Sequence, residues 1–334
     1  ACQLGARRVF AVEPGDSIEV ARRIAATNGL ADRIEFIQAL STAVDLPEPA
    51  DVIVSDLRGR TPVFEGHLPA IVDARKRLLA PGGVLIPQRD VLWAAVVEAP
   101  LDYDDIVGPW DHNPLSLDMA PARQLVVNSL HGTPSKLGRL LTEPMTWATL
   151  DYTSVDGPDV RGSLTATVAN AGVGHGIGHW FDTTLVDGVR FSAAPEDPAN
   201  IYGRIFFPWS HPVPVDVGDE VRVELRAELN AGSYVWTWKT SILHRDGSAP
   251  KVDFRQSTLF AWLLSPTWLR HRQEDHAPGL GEEGQIAALI LDAMAGGEAM
   301  GKIAEQVVAR FPSRYPTKQQ ALARVSRLAD KYAS

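Results

Sequence analysis

Hydrophobic and polar positions follow two different periods in the first quarter of the chain. The run Arg8-Val-Phe-Ala-Val-Glu13 is apolar between charged ends, and residues 33–37 and 51–55 repeat that strand-like pattern. The 51–55 run, Asp-Val-Ile-Val-Ser, is short and bounded by polar residues, as a strand buried on both faces of a parallel sheet is. Between the strands the period becomes helical. Asp16, with Glu19 three residues on, reads as a capping box for a helix whose Ile18, Ala21, Ile24 and Ala25 share one face, and Asn28-Gly29 stops it. A second helix, from about 66 to 80, turns Leu68, Ile71, Leu78 and Leu79 inward. Pro81-Gly-Gly83 ends it and Val84-Leu-Ile86 follows as a strand. Strands alternating with helices at this spacing predict a doubly wound parallel sheet. Residues 1–6 read as the tail of a helix closed by Gly5, so the chain is expected to begin inside a fold.

After Pro87 the pattern changes. From 91 to about 265 there is no long helical period, and strand signals recur. Residues 221–229 alternate apolar and charged strictly, the mark of a half-exposed antiparallel strand, and Asn230-Ala-Gly232 turns them into 234–238. Asp187-Gly188 joins 181–186 to 189–192 as a hairpin. This part is expected to be a β-barrel or sandwich. From 281 the chain is helical again. Residues 286–295 are nearly all apolar, Gly296-Gly297 breaks the run, and Ile303, Val307, Val308 and Phe311 form the next stripe. Thr317 with Gln320 opens a last helix with Leu322, Val325, Leu328 and Tyr332 expected inward. Three short helices make a small bundle or winged-helix-like module, which either binds a peptide or partner or packs as an appendage.

The bulk numbers narrow the classes. With 334 residues the chain has material for two domains. A net charge of −9 argues against a nucleic-acid partner and suits a cationic substrate. The stretch 301–334 runs the other way, with seven Lys/Arg against two Asp/Glu, which a solvated helical face accounts for. The single cysteine, Cys2, excludes an internal disulfide framework and a cysteine-based zinc site, and points to a reducing, cytoplasmic compartment. No apolar run reaches the ~20 residues that span a bilayer, so no membrane is expected. The nine tryptophans read as core and rim. His175 and His179 lie four apart, but Gly174, Gly176 and Gly178 make a helix there improbable, and no metal site is expected.

Candidate chemistry gathers at Asp56, which closes the 51–55 strand at the end where open α/β sheets bind ligands. Glu65 follows nine positions later, after a loop whose Gly59 and Pro62 let it fold back. Two carboxylates at the ends of such a loop can grip a planar cation, and a guanidinium, with its fork of N–H donors, suits the grip. On spacing alone a capping Asp and a solvated Glu account for them equally well. Glu13, closing another strand, fits the acid that holds the ribose hydroxyls of a nucleotide cofactor.

In order and spacing, residues 1 to about 264 resemble the protein arginine methyltransferase family, a branch of the Rossmann-like S-adenosylmethionine-dependent methyltransferases. Arg8-Val-Phe-Ala-Val-Glu13, Asn28-Gly-Leu-Ala-Asp-Arg-Ile34, Asp51-Val-Ile-Val-Ser-Asp56 and Leu79-Ala-Pro-Gly-Gly-Val-Leu-Ile-Pro87 match successive family blocks. The family holds its substrate guanidinium between two acids nine apart, the spacing of Asp56 and Glu65, with Gly59 in the matching place. Gly178-His-Trp-Phe-Asp182 and Phe191-Ser-Ala-Ala-Pro195 look like the family's barrel, and residues near 128–141 sit where its dimerisation arm is inserted.

The resemblance implies a Rossmann-like S-adenosyl-L-methionine domain over 1–87, a β-barrel substrate and dimerisation domain over 88–270, and a homodimer. It places Glu13 on the cofactor ribose, Ser41 and Thr42 beside the adenine, and Asp56 and Glu65 on the acceptor nitrogen of a protein, peptide or small molecule. The family's first strand and glycine-rich cofactor turn would precede Ala1. The chain also departs from the family. Asp56 stands where Glu is usual, Leu57-Arg58 replaces Trp-Met, and His67 replaces Met. Phe207-Pro-Trp-Ser-His211 lies roughly at the family's Thr-His-Trp loop, so His67 and His211 are expected to border the substrate. The module over 281–334 is outside the resemblance. A nucleotide-dependent oxidoreductase on the same fold, and a non-catalytic scaffold binding peptide through that module, are the rival readings.

Overall fold

The computed structural model describes residues 1–112, 115–133, 137–198, 200–247 and 249–333. They fall into two compact units, Ala1–Trp262 and Leu263–Ser334.

The first unit opens with β1 (Val9–Val12), α1 (Ser17–Thr27), β2 (Ile34–Ile37), β3 (Ala50–Val54), α2 (His67–Arg77) and β4 (Leu79–Ile86). The alternation is the expected one, and the strands are parallel. They form two pairs, β1 with β2 and β3 with β4, rather than one continuous sheet. Nor is β3 buried on both faces. Val52 and Val54, which share one face, are exposed, while Ile53 on the other face packs against the core. On α1, Ile18 and Ala25 are buried while Ile24 is exposed. Asp16 makes no cap bond there; its Oδ1 accepts from Gln38 Nε2 at 3.1 Å, so the capping box does not form.

The chain then turns antiparallel, through β5 (Arg89–Glu98), α3 (Pro100–Asp111), α4 (Ala120–Val127), β6 (His131–Thr133), β7 (Arg139–Leu140) and β8 (Met145–Asp151). It continues with β9 (Val160–Thr167), β10 (Gly172–Val186), β11 (Val189–Ser192), β12 (Arg204–Val215), β13 (Glu220–Asn230), β14 (Ser233–Leu243) and β15 (Val252–Ser257). One seven-stranded sheet runs β6-β12-β10-β5-β7, with β11 on β10 and β8 on β5. A four-stranded sheet runs β15-β14-β13-β9. Leu92, Ile177, Phe207, Val223 and Trp238 bring the two sheets into one core, and Leu68, Ile71 and Leu85 tie α2 and β4 to it. As the alternation requires, β13 buries Val221, Val223, Leu225 and Ala227 and exposes the charged residues between them. Its turn into β14 has both central residues at positive φ, Ala231 at 49° and Gly232 at 86°, the twist a two-residue hairpin needs.

Helices α3 and α4 lie in the stretch whose sequence shows no long helical period. The buried set of α3 is only Tyr103 and Val107, and Gly108-Pro109 interrupts its period, so no helical stripe shows in the sequence. Of the stretch 128–141, where the arm is expected, β6 is hydrogen-bonded to β12 and β7 to β5, and positions 134–136 lie outside the described residues. The helical excursion from the sheet is 100–127.

The second unit contains α5 (Pro266–Arg270), α6 (Glu282–Ala295), α7 (Met300–Arg310) and α8 (Lys318–Tyr332), with no strand among its described residues. Ile286, Ile290, Ile303, Val307, Val325 and Leu328 form its own core. The Thr317 hydroxyl accepts from the Gln320 N–H at 3.3 Å, as its capping position predicts. Leu322 and Tyr332 are exposed rather than inward. No helix among the described residues is long and apolar enough to cross a membrane.

The two sheets come close together where β9 passes β8. A Cβ on Gly162 would lie 1.8 Å from the Trp147 carbonyl oxygen. Gly162→Ala is therefore expected to destabilise the protein by about 1–3 kcal/mol, the usual cost of overpacking. A lowered urea midpoint would report it; an unchanged midpoint would show that the sheets can part here.

Candidate active site

Strand β3 hands the chain to the candidate loop through a last ladder bond, Ser55 N–H to the Ile86 carbonyl at 2.9 Å. Asp56 follows, at the carboxyl end of the strand. The loop does fold back: a Cβ on Gly59 would sit 2.7 Å from the Phe64 ring, so only glycine allows this packing. Glu65 is exposed, makes no hydrogen bond or ion pair among the described residues, and has φ 39°. A non-glycine residue in that left-handed region costs on the order of 1–3 kcal/mol, and such strain concentrates at functional sites.

The centre of the arrangement is a residue that the sequence did not single out for a role. Arg58 Nε donates to Asp56 Oδ1 at 3.1 Å, and its Nη1 donates to Asp90 Oδ1 at 3.1 Å and to Thr183 Oγ1 at 2.9 Å. Its Nη2 donates to the Tyr202 hydroxyl at 3.1 Å, and that hydroxyl donates to Asp56 Oδ2 at 2.8 Å. The rings of Phe181, Phe191 and Tyr202 lie 5.1–5.7 Å from the guanidinium carbon. The Arg58 side chain is 2% exposed, that of Asp90 0%, and that of Asp56 48%. Burial alone would lower the Arg58 pKa, but Asp90, then Tyr202 and Asp56, more than offset it and hold the guanidinium above its ordinary value. Burial pushes Asp90 up, while Arg58 and the hydroxyls of Thr183 and Tyr152 pull it back. Stripping one partner from a buried pair of this kind costs roughly 3–5 kcal/mol. Arg58 is thus a fixed part of the site.

The network continues inward. The Tyr152 hydroxyl donates to Asp90 Oδ2 at 2.5 Å and lies 3.0 Å from His67 Nε2, on the first residue of α2. Burial, helped by the Arg58 charge, lowers His67 to about 4. His179 on β10, also lowered to about 4 by burial, meets Thr61 Oγ1 at 3.1 Å and so ties the loop to the sheet. Arg204, buried at the start of β12, donates from Nε to the Ala193 carbonyl at 2.8 Å and from Nη2 to the carbonyls of Ala194 and Asp197. It thereby pins the segment between Phe191 and Tyr202.

Asp56 and His67 therefore belong to one network, which Glu65 does not join. His211 does not reach it either: it is exposed on β12 and packs edge-to-face on Phe254 at 5.1 Å, an outward strand position rather than a loop aimed at the site. Glu13 closes β1, with Oε1 accepting from the Gly15 N–H at 2.7 Å and no partner at Oε2 among the described residues. Ser41 and Thr42 sit in the 3-10 turn Ser41–Ala43 that follows β2. Both lie at the carboxyl ends of their parallel pair, where a nucleotide cofactor's hydroxyls and base can be met. Among the described residues no cluster of His, Cys, Asp or Glu could hold a metal. Sequence reasoning missed Asp90, Tyr152, Thr183 and Tyr202. A signal existed for Asp90, which shares the buried period-2 phase of β5 with Leu92, Ala94 and Val96.

No protein-family model matches the chain. Among curated proteins it is similar to protein arginine N-methyltransferase 2 of Homo sapiens, 31% identical over 250 residues covering 71% of this chain and 57% of that protein. It is also 31% identical over 229 residues to protein arginine N-methyltransferase 2 of Mus musculus, covering 64% of this chain and 51% of that one. The chain thus spans about half the length of the curated relatives it matches. Among solved structures, the Trypanosoma brucei PRMT1 enzyme-prozyme heterotetrameric complex with AdoHcy superposes with a TM-score of 0.70 at 18% identity, covering 77% of this chain and 83% of that one. Arabidopsis thaliana protein arginine methyltransferase 10 superposes with a TM-score of 0.66 at 21% identity, covering 76% and 83%. These structures share the mixed α/β fold of parallel strands followed by antiparallel sheets.

Asp90→Asn, which leaves the Arg58 cation short of its buried counter-charge, is expected to lower the unfolding free energy by about 3–5 kcal/mol. Urea denaturation measures this, and a loss under about 0.5 kcal/mol would deny the pair its weight. The histidines set a pH dependence. Above pH ~6.5, the ordinary histidine pKa, His67 and His179 are neutral in both folded and unfolded chains and contribute nothing. As pH falls from there to about 4 the unfolded chain takes up protons that the folded one refuses, so stability is lost, on the order of 3 kcal/mol per ring. The drop in urea midpoint between pH 7 and 5 should be smaller in His67→Gln than in the parent. An equal drop would contradict the buried neutral ring.

Proposed function

We propose, from the premise that this chain is a distant homologue of the protein arginine N-methyltransferases, that it acts as an S-adenosyl-L-methionine-dependent methyltransferase. Its acceptor is a nitrogen, a guanidinium first, on a protein, peptide or small molecule, held by Asp56 and Glu65. The observation that carries this reading is Glu65 itself, an acid with no partner among the described residues, kept in a strained backbone nine positions after a carboxylate that is fixed in place.

In this reading the Ala1–Trp262 unit divides into a cofactor-binding part over 1–87 and a barrel over 88–270 whose last residues continue beyond the unit's end. Glu13 accepts from the ribose hydroxyls, and Ser41 and Thr42 border the adenine. The Trypanosoma brucei relative was solved in complex with AdoHcy, which supports that cofactor class. A homodimer and a cytoplasmic location complete the proposal, and the helices over 281–334 serve a peptide or partner.

Bound S-adenosylmethionine supplies an activated methyl group, so the chain's own residues have alignment as their main task. Holding two reactants in line can lower a barrier by as much as ~7–11 kcal/mol in well-oriented cases. Two carboxylates accepting from the fork of a guanidinium fix its plane. A carboxylate on the distal nitrogens draws positive charge toward itself and leaves the attacking nitrogen more nucleophilic.

Glu65→Gln keeps the shape and removes the charge at an exposed position. It is expected to cut labelled methyl transfer to an arginine-containing peptide at least ~100-fold, while calorimetry finds S-adenosylhomocysteine affinity within about twofold of the parent. Transfer at the parental rate would remove Glu65 from the site.

A further inference from the structure

We propose that Arg58 and Tyr202 are positioning residues that clamp the two oxygens of the Asp56 carboxylate and aim it at the methyl acceptor. This rests on the reading of Asp56 and Glu65 as the acceptor-holding pair.

An aspartate on a half-exposed loop turns freely about two bonds unless something stops it. Here each oxygen has its own donor, Arg58 Nε on Oδ1 and the Tyr202 hydroxyl on Oδ2. Two donors on different oxygens fix both the direction of the carboxylate and the tilt of its plane. Both donors are themselves held by the antiparallel sheet. Arg58 is anchored on Asp90 of β5 and Thr183 of β10. Tyr202 lies stacked on Phe191, 5.3 Å between centroids and 6° between planes, and its backbone N–H donates to Asn200 Oδ1 at 3.1 Å. The sheet thus sets the aim of a residue that belongs to the parallel part of the unit.

The clamp leaves Asp56 able to work. Each carboxylate oxygen has two acceptor directions and the internal donors use one apiece, so a forked N–H donor can still be received. The alternative role for Arg58, a built-in competitor that leaves when substrate arrives, conflicts with its burial. Its guanidinium is bound to a fully buried carboxylate and enclosed by three aromatic rings.

Tyr202→Phe removes one donor and keeps the stacked ring; Arg58→Lys keeps the buried cation and removes the Nε–H. Carbodiimide-driven coupling of glycine ethyl ester to Asp56, read by mass spectrometry, is expected to speed up severalfold in both variants as the carboxylate is released. With an arginine-containing peptide, kcat is expected to fall roughly tenfold or more, since misplacement on the ångström scale is costly. KM should change less than kcat, and S-adenosylhomocysteine affinity should stay within twofold. Should Arg58→Lys fail to fold, Tyr202→Phe decides alone. Parental labelling of Asp56 together with parental kcat in Tyr202→Phe would overturn the clamp. A parent protein that methylates no guanidinium would overturn the function proposed above, and the labelling rate would still decide whether the clamp exists.

Discussion

The Arg58 guanidinium and the Asp90 carboxylate meet at 3.1 Å with almost no access to water, and much of the first unit is arranged to make that possible. A desolvated cation is tolerable only when its donors are paired. The donors of Arg58 are met by residues from four separate stretches: Asp56 beside it in the loop, Asp90 on β5, Thr183 on β10, and Tyr202 just before β12. Asp90 in turn takes the Tyr152 hydroxyl, which touches His67 at the start of α2. The loop after β3 therefore cannot take its shape independently of the antiparallel sheet. A candidate site built from short, half-exposed segments gains the rigidity of the core beneath it.

That core has its own constraint in β10. Gly172, Gly174, Gly176 and Gly178 alternate along it. A Cβ at Gly174 would enter the Trp209 ring, one at Gly176 would meet the Phe207 carbonyl and the Phe206 ring, and one at Gly178 would press on Leu137. The space left by the missing side chains is filled by these larger ones, which is how Trp209, Phe206 and Leu137 come to be fully buried. Between those glycines the strand carries Val173, His175 and Ile177, and His179 follows, packed among Trp147, Phe207 and Trp236 and reaching Thr61 of the candidate loop. The glycines that rule out a helical metal pair in the sequence are thus a packing device, and the two histidines are buried strand residues.

What was legible in the sequence was local. The strict alternation of 221–229, the turn residues at 187–188 and 230–232, and the acid at the end of β3 each carry their structural reason within a few positions. The fold-back of the loop could likewise be read from Gly59. What was not legible depended on distance. Arg58, in Asp-Leu-Arg-Gly-Arg, looks like a solvated loop residue, and its partners Asp90, Thr183 and Tyr202 lie 32 to 144 residues away. Helices α3 and α4 were hidden for a different reason: they bury too narrow a stripe to leave a periodic signal. His211 was placed by analogy with a neighbouring motif, and one strand position decides that it faces outward.

Two departures from the family pattern can now be read as one. The resemblance places a longer acid at position 56 and an uncharged residue at 58; this chain has a shorter acid and an arginine. The Asp56 carboxylate lies 3.1 Å from Arg58 Nε, two residues along the same loop. The arginine in turn requires a buried counter-charge, and Asp90 supplies it. Asp90 faces the Arg58 guanidinium at 3.1 Å, so Asp56 is not its only counter-charge. In the reading proposed above, half-exposed Asp56 and exposed Glu65 would together meet a singly charged guanidinium. On that reading the electrostatic requirement of an arginine acceptor would survive the substitution, while the two donors on Asp56 restrict its rotation.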